Sequence, residues 1–271
     1  MFPLLAKEIS EKKFGAEVYL CKYCNMRCRY CGRFSNVINK SEDTIYEYDK
    51  LIKDLKYLNS LNILNRISFS GGEPLLYPRI TELLYEVRSF FKGSISIFTN
   101  CKKFKSMGIK FYKAMSECNV NLDFTPYKNI NHNFIRTICK LHKINWCNAS
   151  QFTSNVEVFS GDRLAEPKTE IQKDINDKYY NVCLCNTLTL FNSEIYSCGQ
   201  RCNAPDLLKL CPHNFELKDT DKLKIQDIKN SADIIEFMKT SKDFCKYCFN
   251  CESIQHNWST DDGKPEDWFE S

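Results

Sequence analysis

The 271-residue sequence predicts an α/β fold in two parts, parallel βα units over residues 1–165 and a small cysteine-rich unit over residues 166–271. Two observations predict it. Short apolar strand signals alternate with amphipathic helix signals through the first part, the pattern that builds a parallel sheet. Eight of the 16 cysteines then fall between Cys183 and Cys251, a density that points to a metal-bearing unit.

Taken in order, Glu17–Cys21 is a short apolar strand leading into a loop rich in cysteine. Ser41, followed by Glu42 and Asp43, reads as a helix N-terminus, and Ile45, Tyr48, Leu51, Ile52, Leu55 and Leu58 continue that helix at its period. The strand Arg66–Ser70 comes next. Pro78 opens a second helix with an apolar face of Ile80, Leu83, Leu84, Val87 and Phe91, ended by Gly93 before the strand Ser94–Thr99. Further strands are expected at Val120–Phe124, Ile144–Phe152 and Val156–Phe159, with helices at Lys105–Glu117 and Asn133–Leu141. Close to six βα units fit before residue 165. Glu166 to Asp177 reads as a polar linker, and Cys185–Cys198 as a hairpin turning at Asn192-Ser193.

Composition fits a globular enzyme, with 43% apolar residues to fill a core. The net charge of +4 comes from 38 basic and 34 acidic residues that are interspersed, so nucleic acid is not an expected partner. No segment reads as a signal peptide or a membrane span, and a reducing, cytoplasmic setting is expected. The aromatics, 13% of the chain, lie at helical spacing and read as core.

The chemistry concentrates in Cys24, Cys28 and Cys31. Three thiolates are one short of saturating an iron-sulfur cube, which leaves one iron open to a small molecule. Two other readings stand beside this one. Cys21-x-x-Cys24 and Cys28-x-x-Cys31 parse as zinc knuckles, although zinc ribbons separate such pairs by roughly fifteen residues. A four-cysteine electron-transfer cluster would recruit Cys21 as its fourth ligand.

The run Cys24-Asn-Met-Arg-Cys28-Arg-Tyr30-Cys31 resembles the CxxxCxxC signature of the radical S-adenosylmethionine (radical SAM) family, and Gly71-Gly72-Glu73-Pro74 resembles that family's GGEP stretch. The resemblance implies a partial (β/α)6 barrel, a SAM-binding [4Fe-4S] cluster on Cys24, Cys28 and Cys31, and SAM as cosubstrate. It also implies that Tyr30, Gly71, Gly72, Glu73 and Pro74 position SAM, with Cys21 a bystander. Thr99-Asn100 resembles the Thr-Asn-Gly of related enzymes, with Cys101 in place of glycine, so Asn100 is expected to contact SAM or substrate; an ordinary turn residue is the plain alternative. Asp123 matches the family's Ser-x-Asp pattern incompletely, because Asn121 replaces the serine.

The C-terminal cysteines resemble twitch and SPASM domains, which implies an auxiliary [4Fe-4S] cluster on Cys185, Cys198, Cys245 and Cys248. Cys183, Cys202, Cys211, Cys251 and His213 are substitutes, and zinc is the competing occupant. Cys101, Cys118, Cys139 and Cys147 read as small buried side chains. The family implies cleavage of SAM to a 5′-deoxyadenosyl radical, hydrogen abstraction from a small polar, sugar-like or aminocyclitol-like substrate, and a dehydrogenase-like outcome with an external flavodoxin- or ferredoxin-type donor. Only 23 residues precede Cys24, too few for a precursor-binding domain, so a peptide substrate is the second expectation and a non-enzymatic scaffold the third. Asp123, Glu157, Asp162 and Arg163 are equivalent as proton acceptors, and the sequence selects none.

Overall fold

The computed structural model describes residues 13–29, 31–127, 130–148, 158–161, 187–212, 214–240, 242–247, 254–257, 259 and 264. Its first part runs β1 (Phe14–Cys21), α1 (Tyr48–Ser60), β2 (Leu64–Gly71), α2 (Ile80–Phe90), β3 (Ser94–Thr99), α3 (Phe104–Glu117), β4 (Val120–Phe124), α4 (His132–Leu141), β5 (Trp146–Asn148) and β6 (Val158–Gly161). After it come β7 (Leu188–Phe191), β8 (Glu194–Tyr196), α5 (Gly199–Leu210), β9 (Lys222–Lys224), α6 (Ser231–Lys239) and β10 (Ile254–Asn257). Strands β1 to β5 are parallel and adjacent in chain order, and β7 pairs parallel with the other edge of β1. Hairpin β7–β8 and strand β9 continue the same sheet antiparallel, giving the order β5-β4-β3-β2-β1-β7-β8-β9. This is the expected α/β architecture as an open, partial barrel.

The strands alternate in chemistry as well as in direction of side chain. Val18, Leu20, Ile67, Phe69, Ile95, Ile97, Leu122 and Phe124 are buried in one continuous core with Leu51, Leu55, Leu83, Leu84, Phe111 and Met115 of the helices. The intervening residues Glu17, Tyr19, Ser68, Ser70 and Thr189 line a cavity on the opposite face. A parallel strand covered on both faces reads as a near-continuous apolar run. These strands do not, because one of their faces lines a cavity to which they contribute charged and hydroxyl side chains.

Four local expectations need correction. Ser41 does not start α1: it opens a single tight turn, Glu42–Thr44, after which Tyr46 N–H donates to the Leu20 carbonyl at 3.0 Å and holds the chain extended against β1. The helix starts at Tyr48, where the Glu47 carboxylate accepts the Asp49 and Lys50 N–H groups at 2.9 and 2.7 Å. The second helix begins at Ile80 rather than Pro78 and ends at Phe90, so Gly93 is not its cap. A Cβ on Gly93 would lie 2.4 Å from the Asn65 carbonyl, and this close approach explains the glycine. Finally, among the described residues β6 pairs antiparallel with β10 and with no parallel strand, while residues 149–157 of the two expected strands lie outside the described residues.

The hairpin turn places Asn192 and Ser193 at φ of 50° and 63°, as a two-residue turn of the left-handed type requires. Ser193 replaces glycine there because its side chain is used. Its Oγ donates to Asp54 Oδ2 at 2.5 Å and its N–H donates to the Tyr46 hydroxyl at 2.9 Å, while Tyr46 donates to the same buried carboxylate. Helix α6 is capped by Asn230, which accepts the Ala232 N–H at 2.8 Å, with Asp233 returning the bond to Asn230 N–H. Among the described residues no helix is long and apolar enough to cross a membrane.

Candidate active site

The site forms where two backbones touch. Gly72 N–H donates to the Cys21 carbonyl at 2.8 Å, and Glu73 N–H donates to the Tyr23 carbonyl at 3.1 Å. A Cβ on Gly71, whose φ is 113°, would fall 2.2 Å from the Cys21 oxygen, and one on Gly72 would fall 2.0 Å from the Tyr23 oxygen. Only glycine lets the end of β2 lie this close to the cysteine loop.

The loop is held from behind by α5. Lys22, almost fully buried, donates to the Cys202 carbonyl and to Asp206 Oδ2, both at 2.8 Å. Asn203 donates to the Arg33 carbonyl at 2.6 Å, and Asn36 to the Cys28 carbonyl at 2.8 Å. So fixed, Cys24, Cys28 and Cys31 line one cavity of about 540 Å³ together with Met26, Gly71, Gly72, Thr99 and Asn100. Cys21 does not line it. That thiol is fully buried, faces the Glu73 carbonyl at 3.3 Å, and is pushed up to about 12 by burial. Among the described residues, no three His, Cys, Asp or Glu side chains gather as the ligands of a single ion, so the thiols share a cavity wall and are not drawn together around one point.

A model of the radical SAM superfamily matches residues 18–146. Residues 18–146 carry a radical SAM domain. Over 247 residues the chain is 24% identical to the GTP 3′,8-cyclase of Clostridium botulinum (strain Okra / Type B1), covering 86% of this chain and 74% of that one. BtrN, solved in complex with AdoMet and 2-DOIA, shares the fold with a TM-score of 0.52 at 20% identity, covering 88% of this chain and 94% of that one. A second solved structure, anSMEcpe with bound AdoMet, superposes with a TM-score of 0.51 at 16% identity, covering 89% and 90% of the two chains.

Radical SAM domains use a [4Fe-4S] cluster and SAM, and the donor set here fits that group: three thiols on one cavity wall with the fourth turned away. Burial, then the nearby Glu73 and Cys31, drive the Cys24 thiol well above its ordinary range. Binding to iron reverses this, since a metal displaces the proton from a thiol that it ligates. Tyr127 lies against the same three cysteines and its hydroxyl is likewise raised, chiefly by burial.

The radical SAM domain uses its GGEP glutamate in an unexpected way. Glu73 is fully buried and does not line the cavity, nor does Pro74. Its Oε1 accepts the Thr99 hydroxyl at 2.6 Å and the Leu75 N–H at 3.0 Å, and its Oε2 accepts the Asn100 N–H at 2.9 Å. The carboxylate therefore braces the end of β3 against the glycine turn. Burial pushes it up to about 7 despite those three bonds. Gly71, Gly72 and Asn100 do line the cavity, whereas Tyr30 lies outside the described residues.

The cavity wall also carries polar side chains. Glu17 accepts the Ser70 hydroxyl at 2.8 Å and pairs with the Arg33 guanidinium, and Arg66, Ser68 and Thr189 extend this wall. Phe98, Thr125 and Tyr127 also line it, and α5 contributes Gly199, where a Cβ would lie 2.1 Å from the Tyr19 hydroxyl. Glu17 and Arg33 did not stand out in the sequence. The signal available was the alternation Glu17-Val18-Tyr19-Leu20, a polar residue recurring on one face of a strand that is otherwise apolar. Asp123 is half-buried and raised mainly by burial, and it is not part of the cavity wall.

The second cysteine set is described in part. Cys198 ends the hairpin at the N-terminus of α5, and Cys245 lies in a short turn, Asp243–Tyr247. Cys183, Cys185, Cys248, Cys251 and His213 lie outside the described residues, as do Glu157, Asp162 and Arg163. Cys202 is fully buried within α5, and that burial pushes its thiol up to about 12. Cys101, Cys118 and Cys139 are buried as expected, and Cys147 is only partly so.

Proposed function

We propose that this radical SAM enzyme abstracts hydrogen from a small polar substrate, sugar-like or aminocyclitol-like, held in the cavity beneath Cys24, Cys28 and Cys31. One observation carries the reading: the three thiols and a set of charged and hydroxyl side chains line the same cavity of about 540 Å³. Cys24, Cys28 and Cys31 would hold the [4Fe-4S] cluster, and the backbone at Gly71-Gly72 would receive the methionine end of SAM. When bound, this pair supplies a 5′-deoxyadenosyl radical able to remove hydrogen from an unactivated carbon. The protein's own part is to orient and to exclude water. Glu17 accepts hydrogen bonds from substrate hydroxyl or ammonium groups, Arg33 and Ser70 fix that carboxylate, and Tyr127, Phe98 and Met26 keep the radical's path apolar.

The cysteine-rich part, residues 166–271, is read as a twitch/SPASM-like unit whose Cys185, Cys198, Cys245 and Cys248 hold an auxiliary [4Fe-4S] cluster that accepts an electron from the substrate radical. The net reaction would be a two-electron oxidation in the cytoplasm, with a flavodoxin or ferredoxin as reductant. The sequence relatives favour a second reading, in which GTP is the substrate and the radical closes a ring instead of losing an electron. The cavity wall, with Arg33 and Arg66 beside the single carboxylate of Glu17, is compatible with a phosphate, so the assay below decides between the two readings.

Anaerobic reconstitution tests the proposal. With reductant and SAM, the wild-type protein should release 5′-deoxyadenosine, and Cys28→Ala should abolish the release. A protein that takes up a full cluster and cleaves no SAM would overturn it. GTP consumed with formation of a cyclised nucleotide would replace the first reading by the second.

A further inference from the structure

Asn100 stands at the end of β3 with every polar atom of its amide committed. Its Oδ1 accepts the Lys102 N–H at 2.8 Å, so the amide cannot turn over: the nitrogen must occupy the other side. That nitrogen, Nδ2, donates to Asn25 Oδ1 at 2.9 Å and reaches Cys24 Sγ at 3.5 Å. The backbone is fixed too, since Asn100 N–H is held by Glu73 Oε2 at 2.9 Å. Cys101, next in the chain, sits at φ of 59°, the left-handed conformation that this tight turn requires.

We infer that Asn100 is a positioning residue that sets the reduction potential of the cluster, by donating an N–H to the Cys24 sulfur. The inference rests on the reading of Cys24 as a cluster ligand. A hydrogen bond to a ligating sulfur withdraws negative charge from it and so favours the reduced cluster. Asn100 Nδ2 reaches the Cys24 sulfur itself, and Glu73 holds the backbone of Asn100 in place. This gives the buried glutamate a purpose: it fixes the turn that aims the amide.

The test is a potentiometric titration of the reconstituted holoprotein, followed by the electron paramagnetic resonance of the reduced cluster, on wild type, Asn100→Leu and Asn100→Asp. Leucine removes the donor without adding charge. At a fixed poise the ratio of reduced to oxidised cluster should fall about tenfold, a midpoint about 59 mV more negative for a one-electron couple. Aspartate keeps the acceptor for Lys102 N–H and removes the donor, and its charge lowers the midpoint further. An N100L protein with wild-type iron content and an unchanged midpoint would overturn the inference. If N100L holds no cluster, N100D decides, because a midpoint no lower than wild type refutes the role. A wild-type protein whose cluster does not depend on Cys24 would overturn both this inference and the ligand assignment beneath it.

Discussion

At the scale of single residues, the motif glycines and glutamate act through distance and dielectric rather than through reactivity. Gly72→Ala sets a methyl against the Tyr23 carbonyl, a backbone atom that cannot rotate away. The expected cost is about 2–3 kcal/mol, with loss of cluster uptake, read by thermal melting and iron analysis. Glu73 gives a pH signature. Its acid form is favoured in the fold, so its stabilising contribution is full below the unfolded value of 4.5 and disappears as pH rises through about 7. The iron-free protein should therefore lose up to about 3 kcal/mol between pH 5 and 8 from this group, and Glu73→Gln should flatten that slope in denaturant titrations. A slope unchanged by the substitution would mean that the carboxylate is ionised throughout.

Elements explain why the cysteine loop has a fixed shape at all. Helix α5 is remote in sequence from the loop, yet Lys22, Asp206 and Asn203 bolt the two together. Lys22→Met should cost about 2–3 kcal/mol by leaving Asp206 with only the longer contact to Lys209 at 3.8 Å and the Cys202 carbonyl without its donor, and should reduce cluster occupancy measured by iron content even though no thiol is touched. The hairpin turn is anchored the same way. Ser193→Ala keeps the strained backbone and removes the bond to Asp54, so the melting temperature should fall by an amount equivalent to about 1–2 kcal/mol. The first helix makes the complementary point: Ser41 carried a plausible start signal, but Tyr46 pairs with β1 and the helix waits for Glu47.

For the whole molecule, the pairing of β7 with β1 means that the strands after residue 166 complete the sheet that carries the site. A fragment ending at residue 165 would expose the edge of β1 and part of the buried core around Leu188 and Leu190. It is expected to be insoluble or unfolded, by circular dichroism and chromatography; a stable, cooperatively melting fragment would contradict this. The auxiliary site has its own measure. Iron and sulfide near eight per chain after reconstitution mean two four-iron clusters, whereas four with bound zinc assigns the second cysteine set to zinc.

The sequence by itself determined the chemistry: the spacing of Cys24, Cys28 and Cys31, the glycine turn, and the alternation of strands and helices are local patterns, each imposed by bonding geometry over a few residues. Its reading of the hairpin was also local, down to the two residues of the turn. What it did not contain was any pairing between distant segments. That Cys21 turns away, that Glu73 braces β3 instead of facing the cavity, that Asn100 aims at Cys24, and that Glu17 meets Arg33 all depend on which strands lie side by side. Such contacts follow from curving the sheet around the cavity, and only the folded chain decides them.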